Sequence, residues 1–205
     1  MKILNLTDLN KSDIKYRIDK FPDGQNQVII LDFKAIFEEV QIRSRLNNFK
    51  DLELIVCATK SLRGLEQKFI DLYTPYFLGS RSDRKFEEGS NNYLKDVICP
   101  IINSLKFESV TVLDPHSHVL EACLNNFKKI DNEELVNFAT DEMFRRDKQF
   151  NFDDLVLISP DAGASHKIYK LAEQIGYTGD IITCSKDRDD NGKLTKCVVP
   201  IEHKH

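Results

Sequence analysis

The sequence predicts an α/β protein whose mostly parallel sheets carry helices on both faces. Three observations lead there. Apolar runs such as "QVIILDF" (27–33) and "DLVLIS" (154–159) are largely continuous rather than alternating, as in strands buried on both sides. Segments of helical period separate these runs, the order expected of a sheet joined by crossovers. The pattern then runs twice, with a joint near residues 125–153. The second run is short, so the second lobe is expected to be incomplete. The expected division is residues 1–125, a helical connection over 126–153, and a partial second domain over 154–205.

Each element follows from its own stretch. "MKILNL" (1–6), "QVIILDF", "LELIVCA" (52–58) and "LYTPYF" (72–77) read as strands. In "NNYLKDVICPIINSLKF" (91–107), Tyr93, Leu94, Val97, Ile98, Ile101, Ile102 and Leu105 share one helical face, and Pro100 predicts a kink or break. "ESVTVLD" (108–114) is the next strand, followed by helices at "HSHVLEACLNNF" (116–127) and "NEELVNFATDEMFRR" (132–146). "DLVLIS" is a strand, and "ASHKIYKLAEQIG" (164–176) is a helix closed by Gly176. "DIITCS" (180–185) and "KLTKCVVP" (193–200) complete the strands.

Composition removes several function classes. With 41% apolar and 30% charged residues, the 205-residue chain has enough apolar content for a core. A net charge of −4 supplies no global field for nucleic acid or an anionic membrane. No apolar run approaches the ~18 residues of a membrane span, and "MKILNLTDLN" lacks the apolar core of a signal peptide. The five cysteines are scattered without CxxC spacing, which argues against a zinc site and for reduced thiols in the cytoplasm.

Ligands of open α/β sheets bind beyond the carboxyl ends of strands, so the loops there are the place to search. Four of them carry polar chemistry: "LGSRSDRKFEEG" (78–89), "DPHSH" (114–118), "PDAG" (160–163) and "SKDRDDNGK" (185–193). Each also has a plain reading. Charged loops are commonly just solvated, His116 and His118 suit a surface turn, Asp161 suits a helix cap, and "KDRDDNGK" suits a hairpin tip. Together they point to nucleotide or phosphate-ester chemistry. Arg81 and Arg84 supply guanidinium forks for phosphate oxygens. Asp161, beside small residues, suits Mg²⁺, which takes few protein ligands. Lys186 and Arg188 on a mobile loop suit stabilisation of a phosphoryl-type transition state.

Five segments then carry a resemblance in order and spacing: "FPDGQNQV" (21–28), "PYFLGSRSDRKFEEG" (75–89), "VTVLDPHSH" (110–118), "LVLISPDAGASHKIYKLAEQIG" (155–176) and "SKDRDDNGKLT" (185–195). In them the chain resembles the ribose-phosphate diphosphokinases, also called phosphoribosyl pyrophosphate synthetases. The resemblance implies a phosphoribosyltransferase-like fold, ATP and Mg²⁺, a homo-oligomer, and transfer of diphosphate to the 1-hydroxyl of ribose 5-phosphate or a related ribosyl phosphate such as ADP-ribose. It implies that Phe21, Asp23 and Gln25 contact adenine across a subunit boundary, and that Arg81, Ser82, Asp83 and His116 belong to the ATP site. His116 and Asp161 match the magnesium-associated positions, and Lys186 and Arg188 the basic pair of the catalytic loop.

The departures bear on activity. Gln25 stands where the family usually has Glu, Ser82 where it has Gln, Ala164 where Gly is common and Lys167 where Arg is. The family's ribose-phosphate signature, an acidic pair followed by a Thr-Gly turn, is not found within residues 1–205. Three explanations stay open: a fragment, a half whose C-terminal partner is encoded separately, or a diverged non-catalytic or regulatory homologue.

Overall fold

The computed structural model describes residues 1–31, 39–147, 155–189 and 194–200. It divides into two compact units, Met1–Asp131 and Asn132–His205.

The first unit is built on strands β1 (Lys2–Asn5), β2 (Tyr16–Lys20), β3 (Asn26–Ile30), β4 (Val40–Arg43), β5 (Ile70–Thr74), β6 (Val110–Leu113) and β7 (Phe127–Ile130). Five of them form a parallel sheet in the order β1-β4-β5-β6-β7. Its register aligns Leu4, Ile42, Leu72 and Val110 in one buried row. Because side chains alternate, their neighbours Asn5, Arg43, Tyr73 and Thr111 take the other face and are half-buried. Strands β2 and β3 form an antiparallel hairpin outside this sheet.

The segment 52–58, read above as a strand, is the middle of helix α1 (Phe49–Gly64). Asn48 caps it by accepting the Asp51 amide at 3.1 Å, and Leu52, Ile55, Thr59 and Leu62 bury one face at helical spacing. Helix α1 carries the hairpin: Ser61 Oγ donates to the Val28 carbonyl at 2.7 Å, and Glu53 accepts both the amide and the side-chain NH₂ of Asn26. Those two bonds hold the half-buried Glu53 carboxyl below its ordinary range.

Pro100 acts where disruption was expected. A wide π-type segment, Leu94–Ile98, gives way at Cys99 to helix α2 (Cys99–Ser104), with Pro100 in the first turn, where a missing N–H is tolerated. Only Val119–Cys123 of segment 116–127 is helical (α3), and Phe127 starts β7 instead.

In the second unit, α4 (Glu133–Arg146) precedes a parallel pair, β8 (Leu157–Ser159) and β9 (Ile181–Thr183), connected through α5 (Ser165–Gln174). Gly176 closes α5 as expected, at φ +68, and the Tyr177 amide reaches back to the Ala172 carbonyl at 2.8 Å. Among the described residues of this unit, Leu171, Ala172, Tyr177, Ile182 and Cys184 are the buried apolar ones. The segment read as a mobile loop supplies β10 (Ser185–Arg188), paired antiparallel with β11 (Leu194–Val198); residues 190–193 lie outside the described set. Among the described residues no helix is long and apolar enough to cross a membrane.

Candidate functional site

β5 and β6 are neighbours in the first sheet, so the loops leaving their carboxyl ends run side by side. The β5 loop turns at Gly79, whose φ is +79 and whose missing Cβ would lie 2.8 Å from the Tyr93 ring. Any side chain there meets both the left-handed backbone and the ring. The Ser82 amide donates to the Gly79 carbonyl at 2.8 Å, and the Leu94 amide to the Ser82 carbonyl at 3.1 Å. Asn92 Nδ2 donates to the Asp83 carbonyl at 2.7 Å. Arg81 and Arg84 are exposed, Arg84 lying over the ring of the exposed Phe86 at 5.4 Å from its centroid.

The β6 loop begins with Asp114 at φ +41, a left-handed conformation that Asp tolerates better than most residues. His116 and His118 are both exposed, and His118 Nδ1 lies 3.7 Å from Glu121. The structure brings the two loops together through Ser117, whose hydroxyl donates to Asp83 Oδ2 at 2.6 Å. Sequence reading missed Ser117. Its one signal was a hydroxyl between two histidines in a strand-end turn.

Phe21, Asp23 and Gln25 sit at the exposed tip of the β2–β3 hairpin, closed by the Phe21 amide on the Gln25 carbonyl at 2.9 Å. Among the described residues, no hydrogen bond or ion pair joins this tip to the Arg81–Asp83 loop or to His116.

In the second unit, Asp161 leaves β8 with extended backbone and caps the turn into α5, its Oδ1 accepting the Ala164 amide at 2.9 Å. Ser159, fully buried, braces the turn by donating to the Asp161 carbonyl at 2.7 Å. Lys186, on β10, places Nζ 2.6 Å from Asp161 Oδ2. That ammonium, and next the Ala164 amide, hold the Asp161 carboxyl below its usual range. Arg188 lies on the same strand as Lys186.

This donor set bears on the metal that the resemblance implies. Asp161 offers one ionised carboxylate that already attracts a cation. A Cβ at Gly163 would come within 3.3 Å of its Oδ1, so glycine keeps that side open. One such ligand fits Mg²⁺, which completes its shell with water and phosphate. A histidine nitrogen is a poor partner for so hard an ion, so His116 fits a phosphate or a water better. Among the described residues no group of three or more His, Cys, Asp and Glu gathers as a fuller metal cage.

No family model matches the chain. A ribose-phosphate pyrophosphokinase of Saccharolobus solfataricus is 26% identical over 170 residues, 82% of this chain and 55% of the relative. A second, ribose-phosphate pyrophosphokinase 2 of Archaeoglobus fulgidus, is 26% identical over 183 residues, 89% of this chain and 59% of the relative. The chain is similar to ribose-phosphate pyrophosphokinases. It spans 55 to 59% of the length of these curated relatives. The crystal structure of a phosphoribosylpyrophosphate synthetase from Mycobacterium smegmatis superposes with a TM-score of 0.71 at 14% identity, covering 88% of this chain and 59% of that one. The shared fold is the phosphoribosyltransferase-like α/β architecture expected from the sequence.

Proposed function

We propose that the chain supplies the Mg·ATP side of a diphosphokinase. It transfers diphosphate from ATP to the 1-hydroxyl of ribose 5-phosphate or a related ribosyl phosphate such as ADP-ribose, and AMP is released. The similarity to ribose-phosphate pyrophosphokinases supports the reaction class. The observation that carries the residue assignment is the Asp161–Lys186 pair: two side chains 25 positions apart meet at 2.6 Å beyond the end of β8.

Arg81 neutralises phosphate oxygens, His116 contacts phosphate or water, and Phe21, Asp23 and Gln25 hold the adenine of a neighbouring copy in a homo-oligomer. Mg²⁺, when bound, would supply positive charge against the polyphosphate. Asp161 would hold Mg²⁺, with Lys186 beside it within reach of the transferring group. Lys186 and Arg188 then stabilise charge on the transferring group as the acceptor oxygen bonds to the β-phosphorus and the α-β bridge breaks. Little general-base work is required, because positioning and electrostatics dominate phosphoryl transfer. The acceptor-phosphate cradle comes from a C-terminal segment with the family's acidic-pair and Thr-Gly signature, on the same polypeptide or separately encoded.

The test is AMP formation from ATP and ribose 5-phosphate, by the chain alone and with the C-terminal half of a curated relative added. Lys186→Ala is expected to lower kcat by about 10²-fold or more while ATP affinity changes little. Equal losses in both would remove Lys186 from the chemical step. ATP binding without AMP formation under either condition would make the chain a non-catalytic homologue.

A further inference from the structure

We infer that Ser117 is a positioning residue that sets the Arg81–Asp83 loop from the neighbouring strand-end turn. This rests on the reading of that loop as the ATP-contacting segment. Three bonds fix the loop's backbone to itself and to the helical segment that follows: Ser82 to Gly79, Leu94 to Ser82, and Asn92 to Asp83. None of them reaches the turn that carries His116. The Ser117–Asp83 bond does, and at 2.6 Å it has the length of a charge-assisted O–H···O⁻ contact. Asp83's carboxylate has no other hydrogen-bond or ion-pair partner among the described residues.

The donor side of this bond is itself anchored. The Asp114 amide donates to the Ile130 carbonyl at 2.8 Å, tying the start of the turn to β7, and the Ala122 amide donates to the His118 carbonyl at 3.2 Å, tying the turn's end to α3. The hydroxyl therefore projects from a turn held at both ends toward a loop held on one side. Asp83 then acts through position rather than as a ligand. Arg81 and His116 are the side chains left to touch the nucleotide, and their spacing is set by one hydroxyl. Losing that hydroxyl frees the loop from the turn without removing any group that touches ATP.

The experiment compares wild type, Ser117→Ala and Ser117→Thr by amide hydrogen exchange and by calorimetric titration with Mg·ATP. Ser117→Ala is expected to lose protection at residues 79–84 and to bind ATP about tenfold more weakly. Ser117→Thr, which keeps the hydroxyl, restores both. In the AMP-forming assay the loss falls on KM rather than kcat. ATP affinity unchanged in Ser117→Ala overturns the inference whatever exchange does. If the wild type binds no ATP, the function proposed above fails, and exchange alone decides: retained protection in Ser117→Ala overturns the coupling, and lost protection upholds it. Should Ser117→Ala not fold, Ser117→Cys takes its place, with similar volume and a weaker donor.

Discussion

Asp83 and Asp161 occupy comparable places, each in a loop leaving the carboxyl end of a parallel strand, yet they are held by different chemistry. Asp83 accepts from the neutral hydroxyl of Ser117 at 2.6 Å. Asp161 accepts from the Lys186 ammonium, also at 2.6 Å. A hydroxyl fixes geometry but leaves the carboxylate's charge uncompensated. An ammonium fixes geometry and also compensates the charge. The pair therefore separates two jobs of an acidic residue at a strand end: Asp83 holds a loop in place, and Asp161 holds a cation in place.

The platforms differ as well. Asp83 stands above a five-stranded sheet with a fully buried row, and Asp161 above a two-stranded pair with few buried side chains. The largest expected effect follows from this. Leu72→Ala, at a fully buried position of β5, is expected to cost about 3–5 kcal/mol in urea unfolding, because the surrounding strands cannot close the gap. Ile182→Ala on β9 is expected to cost about 2 kcal/mol, since a small two-stranded core collapses more readily around a void. Equal costs would mean that the second unit is as tightly packed as the first.

A smaller effect is the pH dependence of the Asp161–Lys186 pair. Asp161's folded carboxyl titrates below its ordinary value, mainly through the Lys186 ammonium and next through the Ala164 amide. Its contribution to stability is therefore full above the unfolded carboxylate value of about 3.9 and is lost as pH falls through the lower folded value. The thermal-melt difference between wild type and Asp161→Asn should hold steady from pH 7 to 5 and shrink below about pH 4. Taking that difference removes the acid response of Glu53, whose carboxyl is also lowered. A difference independent of pH would show that the Lys186 pair adds nothing to folding.

Some of this was legible in the sequence and some was not, for physical reasons. The α/β class was, because "VTVLD" and "LVLIS" are apolar runs that stop at polar turns. The Asp161 cap was, because a carboxylate followed by Ala162 and Gly163 before a helical pattern leaves its oxygens free to meet backbone amides. Helix α1 was not. "LELIVCA" is as apolar and β-branched as a strand, and the signals that correct it, the cap Asn48 and the buried Leu62, lie outside that window. β4 and β7, "VQIR" and "FKKI", each hold two apolar residues, so their pairing in the sheet decides their conformation. Ser117 was invisible because its partner lies 34 residues away. The resemblance placed Asp161 and Lys186 in one site, but only the fold shows that the two side chains touch.

The most direct test is calorimetric titration of ATP into the protein, with and without Mg²⁺, for wild type and Asp161→Asn. Mg²⁺ is expected to tighten ATP binding in the wild type, and this gain to disappear in Asp161→Asn. An equal gain in both proteins, or no heat with Mg²⁺ and ATP in the wild type, would contradict that expectation.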